Sequence, residues 1–501
     1  MQVRSLILAV ALFALGCGSQ KVGFDDDGGV DGGADGTTIG DGGFGFGDTG
    51  SAEAGCVNLQ CQQTCGSTSI SGTVYDPAEV NGLYNVYVYV PNEALAPITD
   101  GPTCTQCQAP ASGNPIASAS TDANGHFSIP NAPIGQNIPL VMQLGKWRRH
   151  ITIPNVAACV DNPQTDKTQM RLPRKQHEDS PDDNIPLMAL TTGCDGAECF
   201  FLSRIGIDQS EFTGSNGTGR VRVYKSTNDD GQTFSGIGSG ALTADQLWNN
   251  NGEMLKYDIV FDACECDTYT RGTNGYKNFL AYLDAGGRAF ATHYFYNFFA
   301  NNTQCFGDPT CQGQTPLPTV GAWEGNTGQA DTPAECPKLS QTYENGILSK
   351  CLTIDTSIPK GKAFADWYSA NNSKITAYGG GESYGYAGLA DIREDMGALG
   401  ASFVSAGSAT PWLYAGNLTG AYDAYYFSFN TPVSTNTTNQ CGRAIFSDVH
   451  LAEEPIGAFP TYCATDPGQS DHAPNELALE FLFFDLASCV QNDTTPPITP
   501  N

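Results

Sequence analysis

The stretch YDIVFDACECDTYTRGTNGYKNFLAYLDAGGRAFATH, residues 257–293, decides the fold of the larger part of the chain. It begins with a short apolar run, 257–263, that predicts a buried strand, and continues with a helical pattern from Tyr276 to Leu283. A Gly-Gly turn and a second apolar run, from Arg288 to Thr292, complete a strand–helix–strand unit. Such a unit joins two parallel strands by a right-handed crossover, so the stretch predicts an α/β sheet.

The same alternation extends on both sides of that stretch. Further runs predict strands at 185–190, 220–224 and 443–446 and helices at 197–204, 242–248 and 476–487, the last of them amphipathic. Residues 185–490 are therefore predicted to form an α/β, doubly wound, flavodoxin-like domain. A stretch at about 300–440, rich in Gly, Tyr and Cys, interrupts the alternation and predicts a β-rich, disulfide-stapled insertion.

Residues 56–178 have a different pattern. Short alternating or β-branched runs separated by Pro, Gly and Asn predict an antiparallel β-sandwich, so the chain is expected to be multidomain. Three motifs, SGTVYDP (71–77), NVYVYVPN (85–92) and TDANGHF (121–127), resemble those of the carboxypeptidase regulatory-like domain. The resemblance implies an all-β, seven-stranded, prealbumin-like sandwich with a carbohydrate-binding-like fold. It also implies a module that positions or stabilises its neighbour and has no catalytic residues of its own.

The first residues predict export. Residues 1–16 contain Arg4 and the apolar run LILAVALFAL (6–15), the layout of a secretory signal peptide. Cys17 directly after this run resembles the lipobox of bacterial lipoproteins, which implies lipidation of Cys17 and a membrane partner. Ala14 and Leu15 depart from the usual lipobox, and a secreted protein in which Cys17 is lost or disulfide-bonded is the alternative.

The segment that follows Cys17 is predicted to be a spacer. Residues 17–55 are rich in Gly and Asp and have little to bury, which predicts a disordered tether. Gly18, where many lipoproteins of the inner membrane have aspartate, implies by resemblance the outer membrane or the cell surface. Residues 491–501, at the other end, are also expected to be disordered.

Seventeen cysteines remain after Cys17. In an exported chain such a density predicts disulfides, and the odd number leaves at least one thiol free or paired between molecules. The short spacings Cys61-x₃-Cys65 and Cys104-x₂-Cys107 also fit a four-thiolate zinc site, an alternative that the oxidising compartment disfavours.

The charge of the chain excludes one class of partner. Its formal net charge is −29, with 53 acidic and 24 basic side chains. Nucleic acid is not expected as a partner, because its phosphates require a basic face.

Candidate chemistry lies after the predicted strands, where ligands gather in doubly wound sheets. His293 follows RAFAT, and the strand GRAIFSD (442–448) ends in Asp448 and is followed by His450, Glu453 and Glu454. This arrangement resembles the class I glutamine amidotransferase-like fold, including relatives of the trehalose-utilisation type. His450 with Glu453 or Glu454 matches the His and Glu of that family, but His293 occupies the position of the nucleophilic cysteine.

Without a thiolate, glutamine hydrolysis has no nucleophile and is not expected. His293 and His450, beside Asp448 and Glu453, could instead act as acid and base on a sugar or peptide, or hold a metal. The alternative is that both histidines are buried remnants of the fold. Neither a metal nor a cofactor is expected.

Trp147, Arg148 and Arg149 belong to a basic aromatic cluster in an acidic protein. They are candidate ligand-binding residues for an anionic glycan, or simply a solvated strand end.

Together these features predict a lipid-anchored cell-envelope protein that is non-catalytic and binds an envelope polysaccharide, peptidoglycan or a protein partner. The alternative is an exported hydrolase that acts on a sugar or peptide polymer through His293 and His450, with or without a metal. A structural component of the envelope is a third hypothesis.

Overall fold

The fold is given by a computed structural model. It describes residues 56–193, 197–226, 237–262, 264–265, 272–299, 321–323, 336, 349–372, 382–390, 392, 396–399, 409–415, 423–433, 436–449 and 474–498.

The first seven strands form a β-sandwich. They are β1 (Ser69–Thr73), β2 (Tyr87–Pro91), β3 (Pro115–Ser120), β4 (His126–Pro130), β5 (Gly135–Leu144), β6 (Trp147–Val156) and β7 (Asp161–Gln164). One sheet has the order β4-β1-β7 and the other β3-β2-β5-β6, and inward apolar residues of both belong to one core. Gly125 in the β3–β4 turn has a φ of 80°, and a Cβ there would lie 2.6 Å from the Val74 carbonyl oxygen. Seven strands in two sheets are thus observed, but β7 pairs with β1 in parallel, so the sandwich is not antiparallel throughout as expected.

A second, ten-stranded sheet follows. Its strands are β8 (Met188–Thr191), β9 (Phe212–Gly214), β10 (Val221–Tyr224), β11 (Ile259–Asp262), β12 (Arg288–Thr292), β14 (Ser349–Ile354), β15 (Tyr386–Ala390), β17 (Ala409–Ala415), β18 (Asp423–Thr431) and β19 (Gly442–Ser447). Six are parallel, in the order β9-β10-β8-β11-β12-β19. Without the short edge strand β9, the order is 2-1-3-4-5 in chain sequence, which is the flavodoxin-like order.

The expected β-rich insertion is not a separate layer. Its strands β18, β17, β14 and β15 continue the main sheet in antiparallel fashion beyond β19. Of the described strands of the insertion, only β13 (Gly321–Trp323) and β16 (Met396–Leu399) pair apart from that sheet. The insertion therefore widens the sheet that it interrupts in sequence.

Six α-helices are described: α1 (Ala197–Arg204), α2 (Ala244–Trp248), α3 (Asn251–Met254), α4 (Gly272–Asp284), α5 (Pro359–Asn371) and α6 (Pro474–Ala487). Thr243 and Gln246 form a capping box at the start of α2, and Pro359 begins α5 where its missing N–H costs nothing. Within the described ranges no helix has both the length and the apolar character needed to cross a membrane.

Helix α6 is buried on every side, so the amphipathic prediction is wrong for it. Phe483 lies 6.1 Å from the ring of Trp147 in the sandwich and 6.0 Å from that of Phe261 on β11. Phe481 stacks on Tyr84 at 5.7 Å. The two predicted domains, 56–178 and 185–490, therefore share one apolar core instead of packing as independent bodies.

The charged groups of α6 are paired inside the protein. Arg443 donates to Asp485 and Asp493 at 2.8 Å each, and Lys360 lies 2.8 Å from Asp485 and 3.1 Å from Asp493. Burial alone raises the pKa of Asp493, but Arg443 and Lys360 lower it well below its usual range. Because Asp493 is 2% exposed and held by two cations, residues 491–498 are ordered, which corrects the expected disordered tail.

Five disulfides are described: Cys56–Cys61, Cys65–Cys159, Cys104–Cys441, Cys107–Cys489 and Cys336–Cys351. They use all four cysteines of the zinc alternative, which is thereby excluded. Two of them join the loop between β2 and β3 to the far part of the chain. Several disulfides are compatible with an exported protein.

Replacing Phe483 by alanine is expected to lower the free energy of unfolding by about 3–5 kcal/mol, because the ring is buried between both halves. Chemical denaturation should show tryptophan fluorescence and the helical circular dichroism signal changing in one transition at lower denaturant. Val160→Ala, at a 50% exposed position, is the control and should change stability by less than about 0.5 kcal/mol. Two transitions, with only one of them shifted, would contradict the shared core.

The two long-range disulfides are expected to stabilise the protein more than the short one. Cys104–Cys441 and Cys107–Cys489 join residues 337 and 382 apart, whereas Cys56 and Cys61 are 5 apart. By the loop-closure relation, alanine substitution of either long-range pair should cost about 6 kcal/mol in urea unfolding, against about 2 kcal/mol for the short pair. Equal losses would show that loop closure does not account for their effect.

Candidate functional site at the carboxyl edge of the parallel sheet

The carboxyl ends of the parallel strands bring polar side chains to one edge of the sheet. This is the edge where doubly wound sheets bind ligands, beside the switch point between β8 and β11. The buried polar residues that end β8, β11, β12 and β19 or follow them within three residues include Thr191, Thr192, Asp262, Glu265, Thr292, His293, Ser447 and Asp448. Three neighbouring strands, β11, β12 and β19, supply most of them.

The strand register places two carboxylates on either side of β12. Asp262 on β11 is level with Ala291, and Thr292 is level with Ser447 on β19, so His293 and Asp448 are the first residues after the last paired position of their strands. Neighbouring strands lie about 4.8 Å apart. The backbone N–H of Asp448 donates to the Tyr425 carbonyl at 2.8 Å, which fixes the chain direction after β19.

His293 has a strained backbone at the end of β12. Its φ is 44°, in the left-handed region, and it begins a 3₁₀-helix, His293–Phe298. A residue with a Cβ pays about 1–2 kcal/mol in that region. The sharp turn after this strand is the feature that the amidotransferase-like resemblance implies at the nucleophile position, and the structure has it with an imidazole.

The environment of His293 limits its chemistry. The residue is 0% exposed, and its neighbours along the 3₁₀-helix, including Phe295 and Phe298, are core residues. Proton transfer requires the imidazole to come within hydrogen-bond reach of the substrate, directly or through one water. An imidazole closed off from solvent therefore needs a movement of its surroundings before it can act on a polymer.

The structure places some of the predicted site residues and not others. His293 and Asp448 lie at the same edge of the sheet. His450, Glu453, Glu454 and the lipidation residue Cys17 lie outside the described residues. In the part of the chain that is described, no group of three or more His, Cys, Asp and Glu side chains is arranged to hold a metal.

Asp262 and Glu265 were not among the candidate residues. Both are buried, and Asp262 is the last residue of β11. A carboxylate that ends an otherwise apolar strand was the available signal, since the interior offers an ionised group no solvation unless it has partners.

The cluster of Trp147, Arg148 and Arg149 is inside the protein, which corrects both its expected surface position and its candidate role in ligand binding. Trp147 donates its indole N–H to the Pro173 carbonyl at 3.0 Å. Arg148 donates to the carbonyls of Ala96 and Asp182 at 2.9 and 3.0 Å.

Arg149 makes ion pairs with Glu178, Asp179 and Asp183 at 3.2, 2.7 and 3.4 Å. The three side chains thus attach the segment 173–184 to β6, and they leave no charged face for a glycan. The acidic partners of Arg149 follow about 30 residues later in sequence, so no counter-charge is visible in the sequence next to the cluster.

No family model matches the chain, and no curated protein matches it. Among solved structures, a ThuA-like protein from Bacteroides uniformis is 8% identical with a TM-score of 0.29, covering 59% of this chain and 89% of its own. Two type II cohesin–X-dockerin complexes from Acetivibrio cellulolyticus are 14% and 15% identical with TM-scores of 0.14 and 0.15. They cover 24% and 28% of this chain and 67% and 86% of their own. Likenesses of this extent carry no argument, and the fold rests on the strand order above.

The backbone strain at His293 is testable. Because glycine adopts a positive φ without cost, His293→Gly is expected to be more stable than His293→Ala by about 1 kcal/mol in urea unfolding. Thr292, with a φ of −123°, is the control, and there the alanine variant should be the more stable of the two. The same order at both positions would show that the left-handed turn is absent.

Proposed function

We propose that this chain is an exported envelope protein, anchored by lipid on Cys17, that binds an envelope polymer without altering it chemically. The observation that carries the non-catalytic part is the complete burial of His293, the residue at the position of the family's nucleophile. The imidazole is buried and is followed by phenylalanines of the core. Such a residue keeps the sharp turn of the amidotransferase-like fold, but a substrate cannot reach it.

Export is supported by the disulfides and the acidic composition. Five described bridges require an oxidising compartment to persist. The net charge of −29 opposes binding to nucleic acid and leaves glycans, peptidoglycan or proteins as partners. The lipid anchor comes from the lipobox-like residues before Cys17, with residues 17–55 as the spacer.

A binding role also agrees with the union of the two halves. The sandwich resembles a module that positions its neighbour, and its core is continuous with that of the ten-stranded sheet. A ligand held by either half is therefore held by one body, and residues of both can line a single binding surface.

A second candidate function is favoured by one observation, the left-handed conformation of His293. Strain of this kind concentrates at functional sites. In that case the protein is an exported hydrolase in which His293 and His450 act with Asp448 or Glu453 on a sugar or peptide polymer, after the surroundings of His293 open.

Incubation of the full chain in detergent with purified peptidoglycan and envelope polysaccharides distinguishes the two functions. We expect the protein to co-sediment with at least one polymer and to release no soluble fragments, because His293 is buried. His293→Gly, which keeps the turn, should co-sediment equally. Fragment release that disappears in His293→Gly would establish the hydrolase and refute the proposal.

A further inference from the structure

A cavity of about 260 Å³ lies at the opposite edge of the sheet, where β11 and β12 begin. Its walls come from both halves of the protein: the loop around Thr99, Lys146 beside β6, and Asp258 and Arg288 of the sheet. Pro97 and Thr99 are exposed, so the cavity opens to solvent along that loop. Its volume is just below the roughly 300–1,000 Å³ of sites for drug-sized ligands and suits a ligand of one ring.

Arg288 is a buried cation in the wall of this cavity, and two of its N–H groups are not used by the described residues. The residue is 7% exposed. Its Nη1 donates to the carbonyls of Gly286 and Cys441 at 2.9 and 2.8 Å, and its Nη2 to the Ser488 carbonyl at 3.3 Å. A guanidinium has five N–H groups. Within the described part of the chain, the Nε–H and one Nη2–H have no acceptor, and together they can hold a carboxylate by two hydrogen bonds.

No carboxylate of the described residues lies within ion-pair distance of Arg288, although Asp258 and Asp485 are close enough to act on its charge. Asp258, the acidic residue of the cavity wall, is held by Lys146 at 2.6 Å and by the Leu187 N–H at 2.6 Å. Burial and, to a smaller extent, nearby Arg443 lower the pKa of Arg288 to about 10, while Tyr282, Asp258 and Asp485 act in the opposite direction, so the group remains cationic at neutral pH. The three backbone carbonyls that accept from Arg288 offset only part of a buried charge, and an anion in the cavity would offset more.

The rest of the wall favours a sugar over a bare anion. Thr99 and Thr103 offer hydroxyl groups that can bond to a sugar's hydroxyls. The Gln143 amide accepts from the Tyr89 hydroxyl and donates to the Gly145 carbonyl, which leaves one of its two N–H groups for a ligand. A second cavity of about 250 Å³ shares Thr105 and Gln143 with the first and has Tyr87 in its wall. An aromatic ring there can pack against the next ring of a polymer.

We infer that this cavity binds a uronic acid residue of an acidic polysaccharide, with the sugar carboxylate on the Nε and Nη2 groups of Arg288. Only the assignment to an envelope polymer rests on the proposed function. The recognition of the acidic sugar rests on the unpaired donors of Arg288 and on the cavity.

Calorimetric titration of the full chain in detergent with galacturonate, and with galactose as the neutral match, tests this inference. We expect galacturonate to bind, and galactose to bind about 30-fold more weakly or not at all, because it leaves the buried cation unpaired. Arg288→Gln should weaken galacturonate binding by a similar factor. Arg288→Lys keeps the charge but cannot make two parallel hydrogen bonds to one carboxylate, so it should weaken galacturonate binding by an intermediate factor.

Arg288 also donates to the carbonyls of Cys441 and Ser488, so its variants could fail to fold. Ile98→Trp narrows the same cavity and leaves those bonds in place. It should abolish galacturonate binding with an unchanged melting temperature, and Val160→Trp, at an exposed position, should bind as the parent does.

Equal binding of galacturonate and galactose, or binding unaffected by both Arg288→Gln and Ile98→Trp in folded protein, would overturn the inference. Acetate or D-alanyl-D-alanine binding as tightly as galacturonate would also overturn it, in favour of a general carboxylate or a peptide terminus. Sedimentation with polymers that galacturonate does not displace would leave the proposed function standing and refute the inference. Galacturonate binding without sedimentation with any polymer would support the inference about the cavity and refute the proposed function.

Discussion

The burial of helix α6 between the sandwich and the ten-stranded sheet is the constraint on which the rest of the structure depends. Its phenylalanines contact Trp147 of the sandwich and Phe261 of the ten-stranded sheet, so it completes the apolar core that the two halves share. A helix with no solvent-facing side must find a partner for every charged group that it carries. Three side chains of α6 have such partners: Glu476 pairs with Arg204, Glu480 accepts a hydrogen bond from Asn81, and Asp485 pairs with Lys360 and Arg443. One helix thus holds four distant parts of the chain.

Local sequence patterns predicted most of the helices and strands, but not that the two halves share one core. The unit at 257–293 and six of the seven strands of the sandwich have periodicities that short windows reveal. Strand β7 (DNPQ) has no apolar residue, so only the family resemblance implied a seventh strand. The burial of α6 has no local signal in the sequence. The acidic residues Glu476, Glu480 and Asp485 give its sequence the pattern of a helix with one face in water. Only partners 272, 399 and 125 residues away remove the need for water, and no local pattern contains them.

The candidate site was predictable to a similar degree. Strand ends indicated His293 and Asp448, because the position of a residue after a buried strand can be read directly from sequence. Asp262 was missed because a carboxylate within an apolar run has no periodicity of its own. Trp147, Arg148 and Arg149 were misassigned to the surface because the acidic segment that covers them returns to β6 only after β7.

The place of α6 in the chain order has a consequence for biosynthesis. Residues 474–487 emerge from the ribosome after every other helix and strand that they join, so the core shared by the two halves stays incomplete until this helix has been made. A chain cut short before α6 exposes the apolar surface that the helix covers, which makes such a product a target for proteolysis.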